Sequence, residues 1–248
     1  MSDSKPMQTP MDQNMSLQMV AKAEPFDATL YSQAIGCLIY LCNTRPDIQF
    51  AVSQVSRFMQ NPTVLHWKAI KRIFRYLKGT SNFAMVFSKS IHLLLKGFSD
   101  SDWAGDRDTR RSTSGFCLYL GVCLISWLSK RQPTIATSSC EAEYRATFTA
   151  TLESVWLQKI FSYLDVRVEP IQIFSDSQSA IAIAKNPVHH ARTKHIEVHY
   201  HYIREQIAKK HIELVYVPSS ENVADIFTKA LTRDSHEKIC MLLKLVPI

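Results

Sequence analysis

The tetrapeptide Phe-Ser-Asp-Ser occurs twice in this 248-residue chain, at 98–101 and at 174–177, each time closing a short apolar run. Such runs, bounded by polar turns, have the pattern of buried strands. If the two strands lie side by side and parallel, Asp100 and Asp176 meet at their C-terminal ends. That is the edge where open α/β sheets hold ligands. Carboxylates brought so close repel, and a divalent cation between them removes the repulsion. Two more acids can reach the same edge: Glu143, early in a long helical pattern, and Asp225, in the first turn of a helix after the last strand. Oxygen donors without His or Cys beside them suit magnesium or manganese rather than zinc. Four carboxylates can hold two such ions about 4 Å apart, the arrangement used for phosphodiester cleavage. One ion activates water and the other stabilises the leaving oxygen. Taken singly, an Asp at a strand end is ordinarily a turn or cap residue; the combination, in this order on these elements, points to chemistry.

The elements that must carry these acids follow from periodicity. Residues 1–24, rich in Met, Gln, Ser and Pro, lack a sustained period and are expected to form a flexible lead-in. Residues 28–42 predict a mostly apolar helix, broken at Thr44-Arg45-Pro46-Asp47, with Asp47 a candidate N-cap for a second helix over 48–59. A third, over 63–78, is amphipathic: Ile70, Ile73, Phe74 and Leu77 line one face and Lys68, Lys71, Arg72, Arg75 and Lys78 the other. Strands are expected at 83–88 and 92–99, and a hairpin over 113–120 and 122–129 around Gly121. A helix from Ser139 to Leu164, a strand from Ile171 to Phe174, helices at 177–185 and 193–209, a strand at 212–217, a helix from Glu221 to Ala230 and a short helical tail complete the chain. This order predicts an α/β fold, a mixed sheet with flanking helices.

Composition narrows the classes. The longest apolar run, Leu118 to Leu128, is about half of what a membrane-spanning helix needs, and residues 1–20 lack the apolar segment of a signal peptide. The expectation is an intracellular protein, cytoplasmic or nuclear, with no membrane partner. Six cysteines without a Cys-x-x-Cys pair predict reduced, mostly buried thiols. Lys and Arg number 29 against 22 Asp and Glu, a net +7. The excess concentrates in residues 1–90, which suggests a polyanion-binding surface there, on the 63–78 helix, with Arg111 a further phosphate contact. The bland alternative is a solvated face. His195 and His199 stand one helical turn apart, but His-x-Glu-x-His misplaces the Glu for a zinc protease. Asp102 is expected to serve the loop rather than a metal, and Trp103, Trp127 and Trp156 to be core or half-buried.

Several blocks resemble one family. They are Tyr31 to Leu41 with Thr44-Arg45-Pro46-Asp47; Arg75-Tyr76-Leu77-Lys78-Gly79-Thr80; Ser99 to Asp106; Arg111 to Phe116; Ser126 to Lys130; Glu141-Ala142-Glu143-Tyr144; Thr193-Lys194-His195-Ile196; and Ala224 to Leu231. Together they resemble the C-terminal part of the reverse transcriptase in the Pol polyprotein of copia-type long-terminal-repeat retrotransposons, of plant type. The resemblance implies a thumb or connection region over 25–90 and an RNase H-like domain over 91–248, with a five-stranded mixed sheet flanked by helices. It implies magnesium- or manganese-dependent hydrolysis of the RNA strand of RNA–DNA hybrids, with two ions held by Asp100, Glu143, Asp176 and Asp225. Glu143 fits the family's Glu-Leu-x-Ala better than Glu141 does. The loop His that cellular RNases H place shortly before the last Asp is missing from Val217 to Asn222, and His195 is one candidate to assist instead. No polymerase palm is present, so no polymerase activity is expected, and the fingers and palm region is a candidate partner. The rival reading is a catalytically inactive nucleic-acid-binding fragment.

Overall fold

A computed structural model describes residues 3–15, 17–18, 23–89, 94–166, 169–185 and 197–248. His189, His190, His195 and the predicted helix start at Thr193 lie outside them. The chain divides into two compact units: one of Met1–Val86, Arg107–Thr109 and Lys229–Ile248, the other of Phe87–Asp106 and Arg110–Thr228. The first boundary falls near the predicted 90/91. The tail beyond Thr228, assigned by sequence to the second domain, packs in the first unit instead.

The first unit is built on three helices. Helix α1 (Ala28–Leu41) is capped by Asp27, whose Oδ1 accepts from the Thr29 and Leu30 amides at 2.8 and 3.1 Å. The predicted 48–59 helix is divided: a 3-10 turn (Pro46–Ile48), α2 (Gln49–Val55) and a second 3-10 turn (Ser56–Phe58). Asp47 is not its cap. It is 1% exposed and accepts from Arg45 Nη2 at 2.7 Å and from Tyr76 Oη at 2.5 Å. Burying a carboxylate costs desolvation free energy, and partners such as these offset it. Helix α3 (Val64–Gly79) starts at a capping box formed by Thr63 and His66. Tyr31, Ile35, Leu38, Ile48, Val52, Ile70, Ile73 and Tyr76 form the core of this unit.

Part of the lead-in is packed. Thr9, Pro10 and Met11 are buried, and Met11 joins the same core. Strand β1 (Phe83–Met85), shorter than predicted, pairs antiparallel with β7 (Leu245–Pro247), and α7 (Arg233–Leu242) precedes β7. The expected helical tail is thus a helix followed by a strand.

The second unit is a five-stranded mixed sheet in the order β4-β3-β2-β5-β6. Strands β2 (Leu95–Asp102), β3 (Thr113–Leu120) and β4 (Cys123–Arg131) form an antiparallel meander with Gly121, at φ 60°, in the hairpin turn. Strands β5 (Ile171–Ser175) and β6 (Ile212–Tyr216) run parallel to β2. Helix α4 (Ser139–Tyr163) begins at Ser138, whose Oγ accepts from the Glu141 amide at 3.2 Å. Its buried Thr147 and Thr151 hydroxyls donate to carbonyls one turn back, at 3.0 and 2.8 Å, so these two polar groups are satisfied within the helix itself. Helices α5 (Gln178–Lys185) and α6 (described over Glu197–Ala208) complete the layer. The core of the unit is Phe116, Leu118, Tyr144, Ala150, Leu157, Ile171, Ile173, Ile203 and Leu214. The predicted 221–230 helix is instead a pair of 3-10 turns, Ser219–Glu221 and Val223–Phe227.

Candidate active site

The parallel pairing of β2 with β5 aligns Phe98 with Phe174. Equal steps along both strands then set Asp100 beside Asp176, as the repeated tetrapeptide requires. The rings of Phe98 and Phe174 lie 5.1 Å apart, 24° from parallel, and help fix that register. Glu143 projects from the second turn of α4. One carboxylate oxygen from each of Asp100, Glu143 and Asp176 lies within 4.8 Å of the others, a set of hard oxygen donors able to hold a divalent cation. Asp100 is 3% exposed, and Glu143 and Asp176 are half-buried.

Each carboxylate is held by a donor. The Ser101 amide donates to Glu143 Oε1 at 3.2 Å, and the Ser219 hydroxyl to Asp176 Oδ2 at 2.6 Å. Thr228 Oγ1 donates to Asp100 Oδ2. Asn222, 2% exposed, ties the segment between β6 and Phe227 to the sheet: its Nδ2 donates to the Ser99 carbonyl at 3.0 Å, and its Oδ1 caps the 3-10 turn through the Ala224 amide at 3.1 Å. Sequence reasoning does not single out Ser219, Asn222 or Thr228. Ser219 falls within Val217–Asn222, the segment that lacks the loop His of cellular RNases H, and Thr228 within the Ala224–Leu231 block.

Asp225 sits half-buried on the turn Val223–Phe227, which packs on β2 and β3. It is outside the three-carboxylate group, and its backbone carbonyl lies 3.2 Å from Thr228 Oγ1. Glu141 points elsewhere. Its oxygens accept from Arg145 Nη2 at 2.5 Å and from the Thr137 amide and hydroxyl at 2.9 and 2.6 Å. Asp102 accepts from the Thr113 amide and braces the β2–β3 loop. Trp103 is 54% exposed, with Nε1 donating to the Ala136 carbonyl at 3.1 Å. Trp156 is also exposed, at 53%, rather than core.

The predicted nucleic-acid contacts divide. Lys68 and Lys71 are exposed on α3. Arg72 donates to Asp12 Oδ2 at 3.3 Å and Thr9 Oγ1 at 2.9 Å, Arg75 to the Lys5 carbonyl at 2.6 Å, and Lys78 to the Ser4 carbonyl at 2.9 Å. Residues 4–12 of the lead-in therefore lie along this face and take up three of its five cations. Arg111 is half-exposed at the end of the β2–β3 loop. His199 stacks on Phe148, centroids 4.0 Å apart, and burial and the nearby Arg145 hold its imidazole below the ordinary range. None of the six cysteines is in a disulfide, and Cys37 is exposed on α1. Among the described residues no helix is long and apolar enough to cross a membrane.

No family model matches the chain. The retrovirus-related Pol polyprotein from transposon RE1 of Arabidopsis thaliana is 40% identical over 238 residues, covering 96% of this chain and 16% of that protein. The one from transposon TNT 1-94 of Nicotiana tabacum is 39% identical over 244 residues, covering 96% of this chain and 18% of that protein. The chain thus spans less than a fifth of the length of these curated relatives. Among solved structures, the LC11 RNase H1 isolated from compost by a metagenomic approach aligns with TM-score 0.42 and 14% identity, over 59% of this chain and 97% of that chain.

Proposed function

Because this chain belongs to the family of plant copia-type retrovirus-related Pol polyproteins, we propose that its five-stranded, RNase H-like unit hydrolyses the RNA strand of RNA–DNA hybrids with magnesium or manganese as cofactor. The observation that carries this reading is the convergence of Asp100, Glu143 and Asp176 within 4.8 Å at the C-terminal edge of the parallel strands. All three donors are carboxylate oxygens, which fits a hard divalent ion. Asp100, Glu143 and Asp176 would hold the metal, with Asp225 as the fourth ligand when two ions bind. When bound, such ions supply a nucleophilic water and charge stabilisation at the leaving oxygen.

The chain's own residues preorganise this set. The sheet register brings Asp100 and Asp176 together. The Ser101 amide and the Ser219 hydroxyl each engage one oxygen of a carboxylate and so orient Glu143 and Asp176. The hybrid would be gripped through phosphates and by its A-like shape rather than by base sequence. In this reading residues 25–90 act as a thumb-like part, and the protein works inside the cell.

The test is a labelled RNA–DNA hybrid incubated with the full chain and magnesium or manganese. Cleavage is expected with metal, absent with EDTA, and reduced to background in Asp100→Asn and Asp176→Asn, both of which still bind the hybrid. Wild-type rates in either variant would remove the carboxylates from the chemistry. A folded, hybrid-binding wild type with no metal-dependent cleavage favours the inactive binding fragment.

A further inference from the structure

Strand β3 presents Gly115 directly opposite Asp100 in the antiparallel ladder. A Cβ there would lie 2.7 Å from Phe227 Cβ and 2.8 Å from Thr228 Cγ2, closer than side chains can approach. The missing side chain therefore lets the 3-10 turn Val223–Phe227 settle against the sheet at this one rung. The residue that follows the turn, Thr228, is 0% exposed. Its hydroxyl donates to Asp100 Oδ2, and the Asp225 carbonyl oxygen lies 3.2 Å from that hydroxyl. One buried hydroxyl thus joins the strand that bears Asp100 to the turn that bears Asp225.

From this geometry we infer that Thr228 is a positioning residue of the carboxylate site. Its hydroxyl holds one oxygen of Asp100 and fixes the rotamer in which the carboxylate meets Glu143 and Asp176. The inference rests on the metal-dependent reading above, since rotamer control matters only if the carboxylate binds something. Outer partners of this kind are worth about 10–100-fold in metal affinity. Three features separate this from a generic buried threonine. The bond is to a carboxylate of the cluster and not to backbone alone. The glycine opening is at the matching rung. The methyl of Thr228 fills that opening, so shape and hydrogen bonding can be altered independently.

The experiment measures Mn2+ binding to the full chain by electron paramagnetic resonance, alongside hybrid cleavage. Thr228→Val keeps the branched shape and removes the hydroxyl; Thr228→Ser keeps the hydroxyl and removes the methyl. Thr228→Val is expected to raise the Mn2+ dissociation constant about 10-fold. Thr228→Ser should stay within about twofold of wild type, even if it melts earlier. Circular dichroism verifies that both fold. Equal Mn2+ affinity in Thr228→Val and wild type overturns the inference, whether or not the hybrid is cut. So does an equal loss in both variants, which would mark a packing role only. A wild type that binds Mn2+ but leaves the hybrid intact overturns the ribonuclease reading while the comparison of variants still decides the role of Thr228. A wild type that binds no Mn2+ overturns both.

Discussion

Glu141 and Glu143 stand two positions apart on α4 and face different neighbours. Glu141 is 5% exposed and paired with Arg145, itself 8% exposed, so its loss strands a buried guanidinium. Removing one partner of a buried pair costs about 3–5 kcal/mol. Urea unfolding of Glu141→Ala should show a loss of that size, with the remaining folded fraction still binding Mn2+. Glu143→Gln should do the reverse: near wild-type stability, with Mn2+ affinity down at least about 10-fold, more than the loss of an outer partner alone. Spacing alone leaves the two acids as alternatives within one Glu-Ala-Glu segment; what separates them is the preceding loop, which supplies Thr137 and Thr134 to the Glu141–Arg145 pair. His236 gives a pH signature. It is 4% exposed, and burial holds its imidazole below the ordinary range against the opposing pull of Asp47 and Glu237, with Arg45 adding to the depression. The unfolded chain, with His near 6.5, then binds a proton that the folded chain refuses. Stability is complete above about pH 6.5 and falls as pH drops below it toward the folded value. Replacing His236 with Gln should flatten that decline in unfolding titrations between about pH 7.5 and 5; an unchanged slope would assign it to other groups.

At the scale of elements, α3 carries the chief lesson about what a sequence discloses. Its amphipathic period is legible, and Ile70 and Ile73 are buried as expected. The occupant of its charged face is not. The lead-in that lies there has no period, and it docks in part through backbone carbonyls of Ser4 and Lys5, groups that every sequence possesses. Asp47 misleads for a related reason: Thr-Arg-Pro-Asp has the composition of a helix start, whereas its partner Tyr76 comes from another helix. The cations on α3 therefore divide by role. Lys68→Gln with Lys71→Gln should reduce the salt slope of hybrid binding by up to about 2, near 0.9 for each phosphate no longer neutralised, and leave the melting temperature unchanged. Arg72→Gln, Arg75→Gln and Lys78→Gln together should lower the melting temperature by freeing the lead-in, with a smaller effect on the slope. If the second set carries the salt dependence, the lead-in does not stay on α3 when nucleic acid binds.

For the whole molecule, the five-stranded unit is the legible part, because two copies of one tetrapeptide fix both the edge and the register of its parallel pair. The paired Asp100 and Asp176, Glu143 and the Gly121 hairpin all stand where the pattern puts them. Less legible are features made by long-range pairing of very short segments. Strand β7 has three residues and no alternation to detect, and its partner β1 precedes the whole five-stranded unit in the chain. The turn of Asp225 is expected as a helix, but its path is set by Asn222 and Gly115, which act across the fold rather than along it. The β1–β7 pair has one further consequence, in the order of synthesis. The first unit starts to leave the ribosome before the second and yet needs Lys229–Ile248, made after it, to close its small sheet. The five-stranded unit, whose chain lies almost wholly between those two segments, can complete its own sheet earlier. The half that begins first therefore finishes second, and during translation its open edge must wait while the other half is made.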